Sequence, residues 1–248
     1  MEPLQRLAFV ANADKPGAID LARRLRDIVC DHVGRCSLVE SKDLPPDYLA
    51  DKDACCVIGG DGTILGVVPH AVKYQVPVIG VNHGKLGFLT TYTQEEARSC
   101  LVDLVRGEYT LTHRLLLSCR TADGQEGLAL NDVVIRAAAY TGLVDLEVSC
   151  DGKLMNNFSS DGLIFATPTG STAYNLAANG PIVHPGANVI AVTPISPHTL
   201  SNRSVVLSSD VTLNVNFNGE EAMPMISMDG RSIFRGNDAS CFPIEISA

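Results

Sequence analysis

The sequence predicts an α/β N-terminal domain with a parallel sheet over residues 1–107, followed by a β-rich C-terminal domain, all-β or α+β, over residues 108–248. In roughly the first hundred residues, uninterrupted apolar runs alternate with segments of helical spacing, as in parallel strands that are buried on both faces. From about Tyr109 the apolar runs are rich in Val, Ile and Leu, and turn residues separate them. A chain of 248 residues can bury a core in each of two such domains.

The N-terminal elements follow from the spacing of apolar residues. Continuous apolar runs predict strands, and apolar residues that recur every three or four positions predict helices. The strands are predicted at residues 7–12, 37–40, 54–58 and 76–81, and the helices at residues 18–32, 63–74 and 94–106. The last helix carries acidic residues in its first turn, which helix N-termini favour.

The C-terminal elements are mostly strands. They are predicted at residues 115–120, 128–136, 143–149, 163–167, 189–193, 211–217 and 242–246. Asp-Gly pairs, which favour tight turns, occur at residues 123–124, 151–152 and 229–230. Only residues 171–178 have helical spacing. This order predicts a β-rich domain with one short helix.

Composition and charge limit the classes of partner. The net charge of −9 and the pI near 5.1 argue against a nucleic-acid partner or an anionic membrane surface, since both are polyanions. Anionic substrates would need local donors, a metal ion or both. The sequence has no secretory signal and no apolar run of about 18–20 residues, which predicts a soluble, cytoplasmic protein without a membrane partner. The eight cysteines form no C-x-x-C pair, so we assign no metal ligands and no disulfide framework.

The first motif, Gly59-Gly60-Asp61-Gly62-Thr63, lies between a predicted strand and a predicted helix. Glycines let a phosphate approach the backbone, and the helix N-terminus offers free N–H groups. An acid there could bind Mg²⁺ or take the proton from an attacking hydroxyl. A Gly-Asp-Gly turn is also common without a ligand, so the motif alone leaves both interpretations open. The spacing of these glycines does not fit a Rossmann fingerprint, and residues 80–86 do not fit a P-loop.

Two further motifs are polar. Residues 160–174 run from a strand through a loop of small hydroxyl residues into a predicted helix, a surface suited to a ribose or an adenine. A helix cap would explain one of these hydroxyls. The pair Asn131-Asp132 could bind a base edge and ribose hydroxyls, or could mark a bulge or turn.

In combination, these motifs resemble the NAD kinase family. The resemblance rests on residues 59–63, 80–89, 131–132, 161–174, 180–185 and 193–201. It implies the two-domain NAD-kinase architecture and a phosphotransferase that converts NAD to NADP. The γ-phosphoryl group would pass from ATP, or from polyphosphate, to the 2′-hydroxyl of the adenosine ribose, with Mg²⁺ as the divalent metal.

The resemblance also implies roles for single residues. Asp61 corresponds to the catalytic general base, and Gly62 to a backbone contact with phosphates. Asn131 and Asp132 correspond to residues that hold the adenosine. The other implied substrate contacts are Asp161, Thr172, Ala173, Tyr174, Asn175, Leu176, Ala177 and Arg231. In this family Asp161 can serve a neighbouring subunit's site, which implies a homodimer or homotetramer.

Two other functions share part of this pattern. A lipid kinase of the diacylglycerol or sphingosine type would share the glycine-aspartate turn, but the polar block at residues 167–172 and the lack of an amphipathic membrane-binding stretch count against it. A catalytically silent NAD(P)-sensing module would keep Asn131, Asp132 and Tyr174 and lose the base. Because Asp61 is present, the sequence favours an enzyme.

Overall fold

The fold is taken from a computed structural model of the 248-residue chain. The structure describes residues 2–33, 35–40, 44–84, 87–137, 143–199, 202–219, 224–235 and 239–248. The chain divides into two compact units, Met1–Thr112 and His113–Ala248.

The first unit is a four-stranded parallel sheet with three helices. Its strands are β1 (Arg6–Ala11), β2 (Arg35–Val39), β3 (Ala54–Gly59) and β4 (Val78–Asn82), and its helices are α1 (Ala18–Val33), α2 (Asp61–Tyr74) and α3 (Gln94–Val105). The strand order is β2-β1-β3-β4. All seven elements lie where the apolar spacing predicts them, with ends that differ by a few residues.

The sheet is wound in both directions from its centre. The chain passes from β1 through α1 to β2 on one side, and from β3 through α2 to β4 on the other. Right-handed crossovers then place α1 and α2 on opposite faces, and α1 and α3 share one apolar core with β1 and β3. The strand order therefore reverses between β1 and β3. In such sheets, ligands bind outside the carboxyl ends of the strands at this point of reversal.

The second unit is a sandwich of two six-stranded sheets. Its strands are β5 (Leu117–Thr121), β6 (Glu126–Ala129), β7 (Asp132–Ala137), β8 (Val144–Cys150), β9 (Lys153–Ser160), β10 (Gly162–Ala166), β11 (Val189–Ile195), β12 (Val205–Ser208), β13 (Leu213–Phe217), β14 (Pro224–Met228), β15 (Arg231–Arg235) and β16 (Ile244–Ser247). One sheet has the order β12-β11-β10-β7-β14-β15, and the other has the order β6-β5-β16-β13-β8-β9. Every strand pair in this unit is antiparallel.

The main core of this unit lies between the two sheets. Val133, Leu163 and Val192 face it from one sheet, and Leu146 and Val215 face it from the other. The opposite face of β7, β10 and β11 is buried as well, in a second apolar cluster against which Ala178 packs from the segment between β10 and β11. This burial on both faces explains why β10 reads as an uninterrupted apolar run.

The structure confirms the predicted fold class and corrects several elements. The predicted helix at 171–178 is a 3₁₀ turn (Thr169–Thr172) followed by one short helix, α4 (Tyr174–Ala177), with a break at Ala173. The predicted strand at 128–136 is two strands, because the chain leaves one sheet after β6 and joins the other at β7. The strands β9, β12, β14 and β15 were not predicted. Three of these, β9, β12 and β15, are edge strands; β9 is largely polar, and the apolar run of β12 is only three residues long.

Among the described residues, no helix combines the length and apolar character needed to cross a membrane. Cys55 and Cys56 are free and buried in β3, as their apolar context predicts.

Candidate active site

Asp61 is the first residue of α2. It follows Gly59, the last residue of β3, and Gly60. Gly60 is extended (φ −132°, ψ −176°) and forms the N-cap, so the helix begins two residues before the predicted start. The Asp61 side chain reaches the segment that follows β4. Its Oδ1 accepts hydrogen bonds from the N–H of Leu89 (3.1 Å), the N–H of Thr90 (3.1 Å) and the Thr90 hydroxyl (3.3 Å). Its Oδ2 accepts one, from the N–H of Phe88 (2.9 Å).

The same segment leaves room for this carboxylate because residue 87 is glycine. A Cβ atom at Gly87 would overlap the Asp61 carboxyl group. Thr90 is buried, and its hydroxyl also accepts a hydrogen bond from Asn82 Nδ2 (3.1 Å) at the end of β4. The loop thus fixes the position of the Asp61 side chain with three backbone donors and one hydroxyl.

The glycines around Asp61 differ in what they contact. A Cβ at Gly59 would lie within 3 Å of the Thr63 side chain, so the turn itself requires that glycine. Gly62 is exposed, and an added Cβ would meet no atom within 4 Å. The space beside Gly62 is therefore open to a group from outside the chain, and its backbone contact with phosphates stays a prediction.

In the second unit, Asn131 and Asp132 lie where the chain passes from one sheet to the other. At this crossing the Asp229 carboxylate accepts hydrogen bonds from three consecutive backbone N–H groups. Its Oδ2 accepts from Leu130 N (2.9 Å), and its Oδ1 accepts from Asn131 N (2.7 Å) and Asp132 N (3.2 Å). Asp229 lies in the turn between β14 and β15 with φ +50°, followed by Gly230 with φ +74°. The turn that the Asp-Gly pair predicts thus also supplies a carboxylate to the crossing.

The hydroxyl-rich loop holds the crossing from its other side. Thr167 donates its N–H to the Asn131 carbonyl (2.9 Å) and its hydroxyl to the Leu130 carbonyl (2.6 Å). A Cβ at Gly170 would overlap the Asn131 backbone. The structure therefore brings together two motifs that are more than thirty residues apart in the sequence.

Two buried carboxyl groups define the electrostatics of this region. Burial, together with the charge of the neighbouring Asp229, raises the pKa of Asp132 to about 7. Burial also raises the pKa of Asp229, although its three backbone donors oppose the change. At neutral pH the Asp132 carboxyl is partly protonated, so it can donate as well as accept a hydrogen bond.

The segment 172–177 separates into exposed and buried residues. Tyr174 and Leu176 are 41% and 43% exposed, which leaves both available to a ligand. Asn175 is buried, and its amide binds the carbonyls of Ser171 and Pro181 and the hydroxyl of Thr193. The Asn175 side chain thus fixes the shape of this segment, and a direct contact from Asn175 to substrate stays a prediction.

The remaining predicted residues lie at strand ends or beside this segment. Asp161 is exposed, directly before β10, and Arg231 is exposed as the first residue of β15. Thr172 and Ala173 are partly buried and Ala177 is exposed. Three residues of the family motifs, Leu86, Leu200 and Ser201, lie outside the described residues.

The sequence assigns no role to Asp229 or to Gly87, although Gly87 lies within one of the motifs that carry the family resemblance. Asp229 was interpreted only as a turn signal, and its burial is the signal that the sequence alone does not carry. Among the described residues, no group of three or more His, Cys, Asp or Glu side chains forms a metal site.

Comparisons with known proteins agree with these motifs. The family models for the ATP-NAD kinase N-terminal and C-terminal domains match residues 40–109 and 130–243. The chain is 48% identical over 172 residues to the NAD kinase of Ralstonia nicotianae, covering 67% of this chain and 57% of that protein. It is 38% identical over 218 residues to the NAD kinase of Geotalea daltonii, covering 85% and 76%. The chain thus spans little more than half of the Ralstonia protein and about three quarters of the Geotalea protein.

Two solved structures share the fold. A crystal structure of yeast NADH kinase complexed with NADH has a TM-score of 0.82 and 23% identity, covering 98% of this chain and 77% of that chain. A crystal structure of an NAD kinase from Archaeoglobus fulgidus in complex with ATP has a TM-score of 0.78 and 26% identity, covering 98% and 89%. The matches to both family domains, together with the identity to the Geotalea NAD kinase, establish that the chain belongs to the NAD kinase family.

Proposed function

We propose that this chain is a phosphotransferase that converts NAD to NADP by moving the γ-phosphoryl group of ATP to the 2′-hydroxyl of the adenosine ribose. The observation that carries this proposal is the Asp61 carboxylate. It lies at the start of α2, at the carboxyl end of a parallel strand, and four donors of the Phe88–Thr90 segment orient it. An oriented carboxylate beside an open glycine, Gly62, is suited to act on a hydroxyl next to a phosphate chain.

Asp61 would act as the general base. Among the described residues, one donor binds its Oδ2, the N–H of Phe88, so this oxygen has a further lone pair for an incoming hydroxyl. The 2′-oxygen forms a bond to the γ-phosphorus, the bond from that phosphorus to the bridging oxygen breaks, and ADP leaves with the electron pair. The hydroxyl proton passes to the Asp61 carboxylate. A general base of this kind contributes about 10²–10⁴-fold to the rate.

The second unit would bind the dinucleotide. Asn131 carries an amide that can pair with a base edge, and Asp132 can exchange hydrogen bonds with a ribose diol because its carboxyl is partly protonated at neutral pH. The exposed ring of Tyr174 offers a flat apolar face to an adenine. Asp161 and Arg231, both exposed, would contact more distant parts of the substrate. The remaining contacts would come from Thr172, Ala173, Leu176 and Ala177.

Magnesium would enter with the donor. MgATP carries the ion on its own phosphate oxygens. ATP is favoured as donor because the Archaeoglobus relative was crystallised with ATP, and polyphosphate remains the alternative. The yeast neighbour, complexed with NADH, supports a dinucleotide acceptor. We also propose a cytoplasmic homodimer or homotetramer, as the family resemblance implies.

The test is the formation of NADP from NAD and MgATP, measured through an NADP-specific dehydrogenase. Parallel reactions replace ATP with polyphosphate and NAD with NADH, because these pairs define the donor and the acceptor. We expect turnover with NAD and MgATP. Binding of NAD without turnover on either donor would instead favour the sensing module. A chain that does not bind NAD would contradict the proposal, and lipid acceptors would be tested next.

A further inference from the structure

We propose that Lys15 is a phosphate-binding residue, whose ammonium group holds phosphoryl oxygens of the donor at the Gly59–Asp61 turn. That the phosphates belong to ATP rests on the proposed function. That a polyphosphate anion binds here rests on the geometry of the first unit alone.

The position of Lys15 in the fold is the first argument. Lys15 lies in the loop after β1, and Gly60 lies in the loop after β3. These strands are parallel neighbours, and the strand order of the sheet reverses between them. The two loops therefore flank the crevice in which open α/β sheets of this kind bind their ligands.

Contacts place the ammonium group directly over the glycine turn. Lys15 Nζ lies 2.9 Å from the point that a Cβ would occupy at Gly60, and 3.6 Å from the corresponding point at Gly84. It donates a hydrogen bond to the carbonyl of His83 (3.0 Å). A side chain at residue 60 would therefore collide with the lysine. The second glycine of the motif keeps space for a cation as well as for a phosphate.

The hydrogen-bonding capacity of this cation is mostly unused. An ammonium group has three N–H donors, and the His83 carbonyl takes one. Among the side chains that the structure describes, no carboxylate forms an ion pair with Lys15, whereas Lys52 and Lys73 are paired with Asp51 and Asp47. Lys15 is also partly buried, and a partly desolvated cation favours an anionic partner. The structure thus presents a charge that a phosphate group would neutralise.

The surrounding groups complete an anion site. The first turn of the 14-residue helix α2 has backbone N–H groups without intrahelical acceptors, and Gly62 leaves the approach to them open. The whole chain carries a net charge of −9, so its long-range field repels polyanions. A local cation beside the helix N-terminus offsets that repulsion where the phosphates would bind.

Hydrogen bonds hold the loop of Lys15 in place. Asn12 Nδ2 donates to the Thr63 hydroxyl (3.3 Å), which ties the loop after β1 to helix α2. The two ring nitrogens of His83 contact the Pro16 carbonyl (2.7 Å) and the Gln94 amide (3.1 Å). His83 is thus occupied in fixing this loop, whereas Lys15, among the residues that the structure describes, keeps ammonium donors beside the glycine turn. A preorganised lysine loses less conformational entropy on binding than a free surface lysine.

The experiment compares Lys15→Met with the charge-matched control Lys73→Met, which removes a lysine from the exposed end of α2. Calorimetry measures binding of inorganic tripolyphosphate, and steady-state assays measure KM for ATP and for NAD. We expect Lys15→Met to weaken tripolyphosphate binding and to raise the KM for ATP, each by about tenfold or more, because it removes a charge-assisted contact. The control should stay within about twofold of the wild type in both.

A measurement on the wild-type chain covers the case in which Lys15→Met does not fold. Tripolyphosphate should protect Lys15, and not Lys73, from acetylation, as followed by mass spectrometry. Wild-type affinity for tripolyphosphate in Lys15→Met, or no protection, would overturn the inference, and NADP formation would still stand. Conversely, protected Lys15 in a chain that makes no NADP would refute the proposed function and leave the anion site intact.

Discussion

Replacing Gly87 with alanine would put a methyl group where the Asp61 carboxylate lies. The carboxylate would have to leave its four donors, three of them backbone N–H groups of the next residues. Hydrogen bonds to a charged group contribute about 1.5–3 kcal/mol each when buried, and Asp61 is only partly buried and could regain some of them from water. We therefore expect the free energy of unfolding to fall by about 1–3 kcal/mol.

The effect of Gly87→Ala on catalysis should be larger than its effect on stability. Displacing a general base by about 1 Å can cost on the order of 10²-fold in rate. We expect kcat to fall by about that factor, while the KM for NAD changes by less than about threefold. Urea unfolding gives the stability, and the NADP-coupled assay gives kcat and KM.

The control for this variant is Gly152→Ala in the turn between β8 and β9. Gly152 has φ +75° and no neighbour within 4 Å of an added Cβ, so alanine there costs about 1 kcal/mol of backbone strain and touches no site residue. Its kcat should equal that of the wild type. A folded Gly87→Ala protein with wild-type kcat would contradict this prediction, because it would show that Asp61 does not need the position that Gly87 leaves free.

Two further predictions concern the second unit. Asp229→Ala removes the acceptor of three backbone N–H groups at residues 130–132, so we expect the free energy of unfolding in urea to fall by about 3 kcal/mol. We also expect the KM for NAD to rise more than the KM for ATP. An unchanged KM for NAD would show that this crossing does not affect substrate binding. Because the folded-state pKa of Asp132 is raised to about 7 from an unfolded value near 4, its contribution to stability is greatest below about pH 4 and is lost as the pH rises to about 7. Asp132→Asn should therefore be more stable than wild type by about 2–4 kcal/mol at pH 8 and much closer to it at pH 4; a constant difference across this range would contradict the assignment.

The elements of the first unit could be predicted because each is marked by apolar residues that lie close together in the sequence. Strands β1 and β3 are largely apolar runs and the helices have apolar residues at helical spacing, so the order of elements follows from spacing alone. The second unit was predicted less completely. Strands β9, β12 and β15 lie at sheet edges, and the polar sequence of Lys153–Ser160 pairs on one side only. No apolar pattern marks such a strand before its partner is known.

The candidate site divides in the same way. Asp61 and the Asn131-Asp132 pair could be predicted because each stands in a motif with a recognisable chemistry. Asp229 and Gly87 could not, since their importance depends on contacts with residues 97 and 26 positions away in the chain. Lys15 belongs to this group as well. It is an ordinary lysine in a loop until the sheet order places that loop beside Gly60.

The predicted helix at 171–178 shows a third kind of limit. Its apolar spacing suits a helix, but Asn175 is turned inward to bind two carbonyls and the Thr193 hydroxyl. A Cβ at Gly180 would overlap that amide, so the chain closes tightly around it. Tertiary hydrogen bonds therefore override local helical preference and divide the segment into a 3₁₀ turn and the four-residue helix α4.

The most direct test of the role of Asp61 as general base is the kcat for NADP formation in wild type and Asp61→Asn, with NAD affinity measured by calorimetry on the same preparations. Asparagine keeps the size of the side chain and removes its ability to accept the hydroxyl proton. We expect Asp61→Asn to lower kcat by about 10²–10⁴-fold and to keep NAD affinity within about threefold of wild type. An Asp61→Asn protein that forms NADP at the wild-type rate would contradict this role, because the proton would then leave by a route that does not involve Asp61.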